Sequence, residues 1–587
     1  MVAFPELICA SNGVLYYSSG EEVSLWGLNY YVPFAAEYYL LHLLKINHKE
    51  VMDKDFEHFA KMKVDVIRMH LFDVEISDEK GNLLQNEHLD LLDYLIKKCQ
   101  DYKIYVFLTP IAWWRTPWGN GFSTNYSKPA MFFYPDAIDA QINYLKQLLN
   151  HVNPYSGLSY KDDLTICAFE VFNEPVYWPY ENIVEKEEAF LIEEWSKWLE
   201  KRNIEIEELK TEKGYMLPMP KSILAPSNAI EANVGNLFRK FMYKYMLTKY
   251  IDTMVSTIKS TGAKQPVFFS AFSGAIVARG ISEIKESLDE SSCEGVTYSW
   301  YPGRWIARVP RTYDLLSDLD EDNFFWRSRK ARAVYEFDAV GSPYTYVYPA
   351  FARFWKEMGT QIACMFAYDS YALAHLNVAW AQHFFNFLYT PGKAASFAIA
   401  REVYHRCERN QVLRLPLGEQ KWDCFFVSHV LDVSVMKTDE ILMYSNNYFG
   451  DVPHNPKYVM GVGSSKLIEY DGSGIYIAEI SENEVKLEIF PDVIIVSDPW
   501  ITFYAFGSPS DPLLPRSLSK SVERLRLRKP VAKIRNNIRE FLIRLPWEKC
   551  EITKVNNKTK KHIPWEKYEG WFRFKVTPGR YIIKRLP

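Results

Sequence analysis

A chain of 587 residues is too long for one ordinary core, although a barrel can occupy well over half of it, so two domains are expected. A formal net charge of −4 excludes a long-range field that would recruit nucleic acid or an anionic membrane, and 48% hydrophobic with 24% charged residues excludes disorder on a large scale. The aromatic share of 16% is high for core packing alone, and flat amphipathic rings also suit the apolar faces of sugars.

The N-terminal stretch Met1-Val2-Ala3-Phe4-Pro5-Glu6 lacks a basic segment followed by a long apolar one, and no run of 18 or more apolar residues occurs. Neither a standard secretion signal nor a membrane span is expected, and the reading is a cytoplasmic protein. Over roughly the first 410 residues, short apolar runs alternate with longer amphipathic stretches, the pattern of β/α units around a parallel sheet. Strands are predicted at Trp26 to Tyr30, Val64 to His70 and Ile104 to Thr109, with a helix from His88 to Gln100 that puts Leu89, Leu91, Leu92 and Leu95 on one side. A fourth strand is expected to end at Glu174, a fifth to run from Val267 to Ser270, and a sixth from Val296 to Tyr301. The seventh ends near Glu336 and the eighth runs from Ile362 to Tyr368. An α/β fold, a closed (β/α)8 TIM barrel over residues 1–410, is the natural architecture.

About ninety residues separate the fourth and fifth strands, several times an ordinary loop, so residues 176–245 read as an insertion. Its Glu185 to Arg202 portion has a charged helical pattern, which Gly214-Tyr215-Met216-Leu217-Pro218-Met219-Pro220 breaks. Following a barrel strand, it is expected to wall the face where barrel active sites sit, with a lid or an oligomer contact as the other readings. Residues 411–587 carry short β-rich runs between turn residues and read as a C-terminal all-β, sandwich-like domain. Within it Glu523-Arg524-Leu525-Arg526-Leu527-Arg528-Lys529 alternates, which reads as a solvated strand face before a polyanion site.

The eight cysteines (Cys9, Cys99, Cys167, Cys293, Cys364, Cys407, Cys424, Cys550) are scattered without zinc or redox spacing and read as inert buried thiols. No two histidines lie two residues apart, so neither a metal nor a cofactor is expected.

The segment Phe169-Glu170-Val171-Phe172-Asn173-Glu174-Pro175 reads as a buried strand stopping at an Asn-Glu pair, and Ala333-Val334-Tyr335-Glu336-Phe337-Asp338 as a second ending on a carboxylate. Two strand-end carboxyls suit cleavage of a glycosidic bond, one protonated to assist the leaving oxygen and one ionised. Structural acids occupy strand ends too. Glu170, deeper in its strand, reads as half of a buried ion pair, and Asp338 competes with Glu336 because strand alternation points both to one side.

Asn173-Glu174-Pro175, Ile67-Arg68 on the second strand, Ser299-Trp300-Tyr301-Pro302 on the sixth and Tyr335-Glu336 on the seventh together resemble clan A, family 5-like glycoside hydrolases. The resemblance covers roughly residues 20–400, and the approach through Lys161-Asp162-Asp163-Leu164-Thr165-Ile166 is similar to that of β-mannanase and cellulase-type members. It implies Glu174 as acid/base and Glu336 as the nucleophile of a retaining double displacement. It further implies that Arg68 keeps Glu336 ionised, with an ion pair to Glu170 as its other reading, and that Asn173 bonds the sugar 2-hydroxyl. Tyr301 would orient the nucleophile or pack as a core tyrosine, and His70, inward by alternation with Arg68, would touch substrate or be a satisfied core histidine. Trp113, Trp114, Trp118, Trp178, Trp300 and Trp305 fall at or after strand ends, and some of them are expected to floor sugar subsites.

Two departures stand out from that pattern. Many relatives end strand eight on tryptophan, whereas here Met365-Phe366-Ala367-Tyr368-Asp369 leaves Tyr368 or Phe366 to take its place, and Ser299 stands where many have histidine. The expectation is a retaining β-glycoside hydrolase of neutral β-linked sugars, exo-acting on short oligosaccharides such as β-mannosides, β-glucosides or β-galactosides. An endo-acting β-mannanase or cellulase-type enzyme is one alternative, and a non-catalytic carbohydrate-binding protein on the same barrel another. The partner is an oligosaccharide or polysaccharide, without nucleic acid or membrane, and with homo-oligomerisation left open.

Overall fold

The structure, a computed structural model, describes residues 4–114, 119–176, 183–212, 214–218, 226–271, 281–301, 328–380, 382–416, 418–500, 529–556 and 559–587. Eight strands close a barrel: β1 (Leu25–Asn29), β2 (Val66–His70), β3 (Tyr105–Thr109), β4 (Ile166–Glu170), β5 (Val267–Ser270), β6 (Gly295–Trp300), β7 (Ala331–Phe337) and β8 (Ile362–Met365). Each pairs in parallel with its sequence neighbours, and β8 pairs with β1. The first four are buried at every position, as strands must be when helices cover them outside and side chains fill them inside.

The barrel interior changes character along its axis. At the strand starts Leu25, Val66, Tyr105, Phe107, Phe268, Ala331, Ala333 and Ile362 form an apolar cluster, joined by Ile8 and Leu15 of a hairpin made of Ile8–Ser11 and Val14–Tyr17. At the strand ends Asn29, Arg68, His70, Thr109, Glu170, Thr297 and Glu336 are all buried and polar. The lower half of the barrel therefore supplies packing, and the upper half must satisfy buried charge by hydrogen bonding.

Two strands stop earlier than the apolar runs suggest. β4 ends at Glu170, not Glu174: Val171 still donates to the Phe268 carbonyl, but Asn173 turns to donate to the Ile111 carbonyl, and Glu174 adopts the left-handed conformation at φ 46°. β8 ends at Met365, three residues short of Tyr368. Between β4 and β5, helix Glu185–Glu200 buries Trp195 against Trp198, Phe238 and Phe241, giving the insertion an aromatic core of its own.

After β8, helix Pro391–Arg406 is buried on nearly every side, which explains its weak amphipathicity. A ten-stranded sheet beginning at Gln420–Trp422 packs Val427, Met436, Met443 and Met460 into the same core as this helix. The sheet's other face, with Val435, Leu442, Tyr444 and Tyr476, meets Phe541, Ile543, Phe572 and Phe574 of a four-stranded sheet, a sandwich-like arrangement. This C-terminal region also bonds to the loop after β8: Asn377 Nδ2 donates to the Pro499 carbonyl at 2.8 Å, and Val531 N to the His375 carbonyl at 2.8 Å. Most of the basic alternating segment at 523–529 lies outside the described residues. Among the cysteines, Cys9 is exposed and Cys424 half-buried, a correction to the expectation of buried thiols. No helix among the described residues is long and apolar enough to cross a membrane.

Gly27 of β1 has no room for a side chain, since a Cβ there would lie 1.7 Å from the Val66 carbonyl oxygen of the paired strand. Closure of the barrel fixes that oxygen. Gly27→Ala is expected to destabilise the protein by about 3 kcal/mol or more, read as a lowered melting temperature by circular dichroism. A melting temperature equal to the parent's would contradict the tight β1–β2 contact.

Candidate active site

Alternation along β2 sends Val66, Arg68 and His70 into the barrel. Arg68 is completely buried, and its guanidinium distributes its donors over the ends of three strands, β1, β4 and β7, and the turn after β4. Nε donates to Glu170 Oε2 at 3.1 Å and Nη2 to the same oxygen; Nη2 also reaches Asn173 Oδ1 at 2.8 Å. Nη1 donates to Asn29 Oδ1 at 3.1 Å and to Glu336 Oε1 at 3.0 Å, while the plane lies 4.5 Å from the Tyr335 ring centroid. Burial opposes the charge of Arg68, but Glu170 and Glu336 outweigh it and hold its proton more firmly than usual. The one side chain thus pairs with Glu170 and with Glu336.

Glu170 is saturated. Besides Arg68 it accepts from Thr109 Oγ1 at 2.6 Å and from Thr297 Oγ1, with no exposed surface for a ligand to touch. Glu336 differs because β7 is irregular: its register against β8 shifts between Val334 and Phe337, so that Tyr335 and Glu336 both contact Arg68 while Phe337 packs outward on Phe351 and Trp355. The Tyr301 hydroxyl donates to Glu336 Oε2 at 2.8 Å. Past the irregularity, Asp338 no longer shares Glu336's surroundings and instead pairs with His383 Nδ1 at 2.9 Å and Tyr348 Oη at 3.3 Å.

Glu174 is half-buried and held in a conformation that costs a non-glycine residue on the order of 1–3 kcal/mol. It senses Glu336: burial first, then the Glu174 carboxyl, pushes Glu336 up to about 8 against the pull of Arg68 and Tyr301. Two carboxyls sharing one proton behave in this way. Tyr301, Tyr335 and Lys128 each feel both carboxyls, so the acid in the turn after β4 and the acid on β7 belong to one electrostatic neighbourhood.

The remaining expected residues divide. His70 Nδ1 lies 2.8 Å from the Tyr31 hydroxyl, and burial, Arg68 and Lys128 push the ring far below its ordinary value, so it is neutral; its Nε2 is buried without a protein hydrogen bond. Trp113, at φ 55°, is half-buried at the end of β3 and donates its backbone N–H to Asp73 Oδ1 at 3.0 Å. Trp300 and Tyr368 are corrections. Trp300 sits between the inward Ser299 and Tyr301, so alternation turns it outward onto Phe354 and Trp355 of helix Val347–Glu357. Tyr368 lies beyond the end of β8, fully buried between layers, with its hydroxyl bound to His58 Nδ1 at 2.9 Å and Asn386 Nδ2 at 3.0 Å. Phe366 faces the site, packed on Tyr31, Trp380 and His383. Trp118, Trp178 and Trp305 lie outside the described residues.

Four residues of the neighbourhood escaped the sequence reading. Asn29 and Tyr31 follow Leu25 and Gly27 at the two-residue spacing of β1, a signal that could have found them. Lys128 and Trp380 lie in loops, where no periodicity marks them. Among the described residues no group of three or more His, Cys, Asp and Glu could hold a metal ion.

No family model matches the chain. In sequence it is similar to mannan endo-1,4-β-mannosidase 5 of Arabidopsis thaliana, 24% identical over 181 residues, which are 28% of this chain and 40% of that protein. It is also similar to mannan endo-1,4-β-mannosidase 2 of Oryza sativa subsp. japonica, 28% identical over 174 residues, 27% of this chain and 38% of that one. The matches thus span about two fifths of the length of these curated relatives. Among solved structures, the endo-1,4-β-mannanase from Rhizomucor miehei superposes with a TM-score of 0.45 at 14% identity, over 68% of this chain and 100% of that one.

Arg68→Met would strand Glu170 and Glu336 without their cation. Breaking a buried ion pair from one side costs about 3–5 kcal/mol, and that loss is expected in chemical denaturation. Denaturation midpoints equal to the parent's would show that Arg68 does not neutralise these acids.

Proposed function

We propose that the protein is a retaining β-glycoside hydrolase that cleaves β-mannosidic linkages within neutral chains. One observation carries the reading: Glu336 receives Arg68 at 3.0 Å and Tyr301 at 2.8 Å, and the half-buried Glu174 carboxyl stands near enough to help push it up. Two donors on Glu336 favour its ionised form, which leaves the shared proton on Glu174.

In the first step a Glu336 oxygen attacks the anomeric carbon as the bond to the leaving oxygen breaks, and the Glu174 proton passes to that oxygen. The resulting ester carries no charge at Glu336. Glu174, now a carboxylate without an anionic neighbour to raise its basicity further, takes a proton from water. The water oxygen attacks the anomeric carbon, the ester bond breaks, and Glu336 leaves as carboxylate. Two inversions give retention. Because Arg68 holds Asn173 Oδ1, the Asn173 amide N–H groups are left to meet the sugar 2-hydroxyl. The half-buried Trp380, 5.1 Å from Phe366 and 5.2 Å from Tyr31, supplies the stacking surface that strand eight lacks.

The names of the two plant relatives favour internal cleavage of mannan over the exo action that the insertion suggested. On β-1,4-mannan and mannotetraose, mannobiose and mannotriose should appear before mannose; release of mannose alone from chain ends would restore the exo reading, and no turnover would favour a binding protein. Glu174→Gln should lower kcat about 10²–10⁴-fold on mannotetraose. With a 2,4-dinitrophenyl β-mannoside, whose leaving group needs no proton, the glycosylation step should be spared, and azide should yield a β-mannosyl azide. An equal loss on both substrates would remove Glu174 from the acid/base role. In the parent, activity should fall as pH rises through about 8, where the carboxyl pair loses its last proton. A rate that keeps rising above that value would contradict the shared proton.

A further inference from the structure

Lys128 sits in the turn between the short helices Phe122–Asn125 and Pro129–Phe132, and only 7% of its surface is exposed. Its Nζ lies 5.2 Å from the centroid of the Trp114 ring, 5.5 Å from Trp113 and 5.8 Å from Phe172. Phe172 directly precedes Asn173-Glu174, so this ammonium reaches the segment that carries Glu174 from outside the barrel strands. Among the described residues it has neither a hydrogen-bond acceptor nor a carboxylate within ion-pair distance. Its Nζ keeps some exposed surface and makes no hydrogen bond within the described protein, and the cost of burying the side chain lowers it to about 8 although Glu174, Glu336 and Asp73 all favour its charge. Aromatic faces offset part of that cost but accept no directional hydrogen bond.

The charges around Lys128 tell what can meet it. With one proton shared by Glu174 and Glu336, Arg68 and Lys128 balance Glu170 and the remaining carboxylate, and Asp73 adds further negative charge. An acidic substituent would face that excess, whereas hydroxyl groups leave it unchanged and satisfy the donors. Trp114 is 38% exposed and Trp113 half-buried, so the rings that cradle the ammonium also present surface on which a pyranose can stack.

We propose that Lys128 is a substrate-contacting specificity residue, its ammonium donating hydrogen bonds to hydroxyls of a neutral sugar laid against Trp113 and Trp114. The proposal rests on the glycosidase reading above. Binding of mannotetraose to the Glu336→Gln protein, measured by calorimetry, tests it without any dependence on turnover or on proton transfer by Glu174. Adding Lys128→Met should weaken that binding about 10–100-fold, the range for a hydrogen bond to a charged group. Lys128→Arg, which keeps the charge and donors, should recover part of the loss. The melting temperature of Lys128→Met should equal or exceed the parent's, because a largely buried side chain loses a charge that no carboxylate pairs and keeps an apolar chain of similar length. Unchanged affinity in Lys128→Met would overturn the contact and reduce Lys128 to a tuner of its carboxylate neighbours. Failure of the parent to cleave any β-mannoside would instead overturn the glycosidase reading, and the parent's turnover assay reports that separately.

Discussion

The site is organised by the buried guanidinium of Arg68, which ties β1, β2 and β7 and the turn after β4 to one another. Its rigid fork serves the saturated Glu170 and the reactive-looking Glu336 at once, a task for which a lysine point charge lacks the geometry. A buried ion network of this kind adds little net stability over an apolar core of the same volume, yet it fixes where each carboxylate can be. Glu170 therefore acts as ballast: by holding Nε and Nη2, it aims Nη1 at Glu336.

Around this fixed centre, departures from regular structure do the placing. The irregular register of β7 brings Tyr335 and Glu336 both against Arg68, and left-handed backbone at Glu174 and Trp113 turns their side chains at the ends of β4 and β3. Such conformations persist where the surroundings over-determine them, here through Asn173 N to the Ile111 carbonyl and Trp113 N to Asp73. The C-terminal region contributes from a distance. Its bonds to Asn377 and His375 brace the loop that carries Trp380, which gives the β-sheets a structural link to the cleft.

Much of the barrel was legible because strands buried on both faces are written as uninterrupted apolar runs, as at Val267–Ser270, where both bounds match. The same signal overran at β4, since Val171 and Phe172 remain buried after the ladder ends, and at β8, where apolar residues continue beyond Met365. Arg68, Asn173, Glu174, Tyr301 and Glu336 were suggested by motifs in a familiar order along the chain, and the structure brings them into one neighbourhood. Trp300 was misread by ignoring the alternation that places Ser299 and Tyr301 inside, and Tyr368 by extending alternation past the strand that supports it. Lys128 carries no signature at all, because a loop residue earns its place through three-dimensional neighbours alone.

The central claim is that Glu336, charged by Arg68 and Tyr301, forms a bond to the sugar. Incubation with 2-deoxy-2-fluoro-β-mannosyl fluoride, followed by proteolysis and mass spectrometry, tests this directly, since the fluorine slows both steps while the good leaving group still permits the first. The account predicts one fluoromannosyl adduct, on the peptide containing Glu336 and on that side chain. Inactivation with the sugar attached to Asp338 or Glu174, or turnover of mannan with inverted products and no adduct, would contradict it.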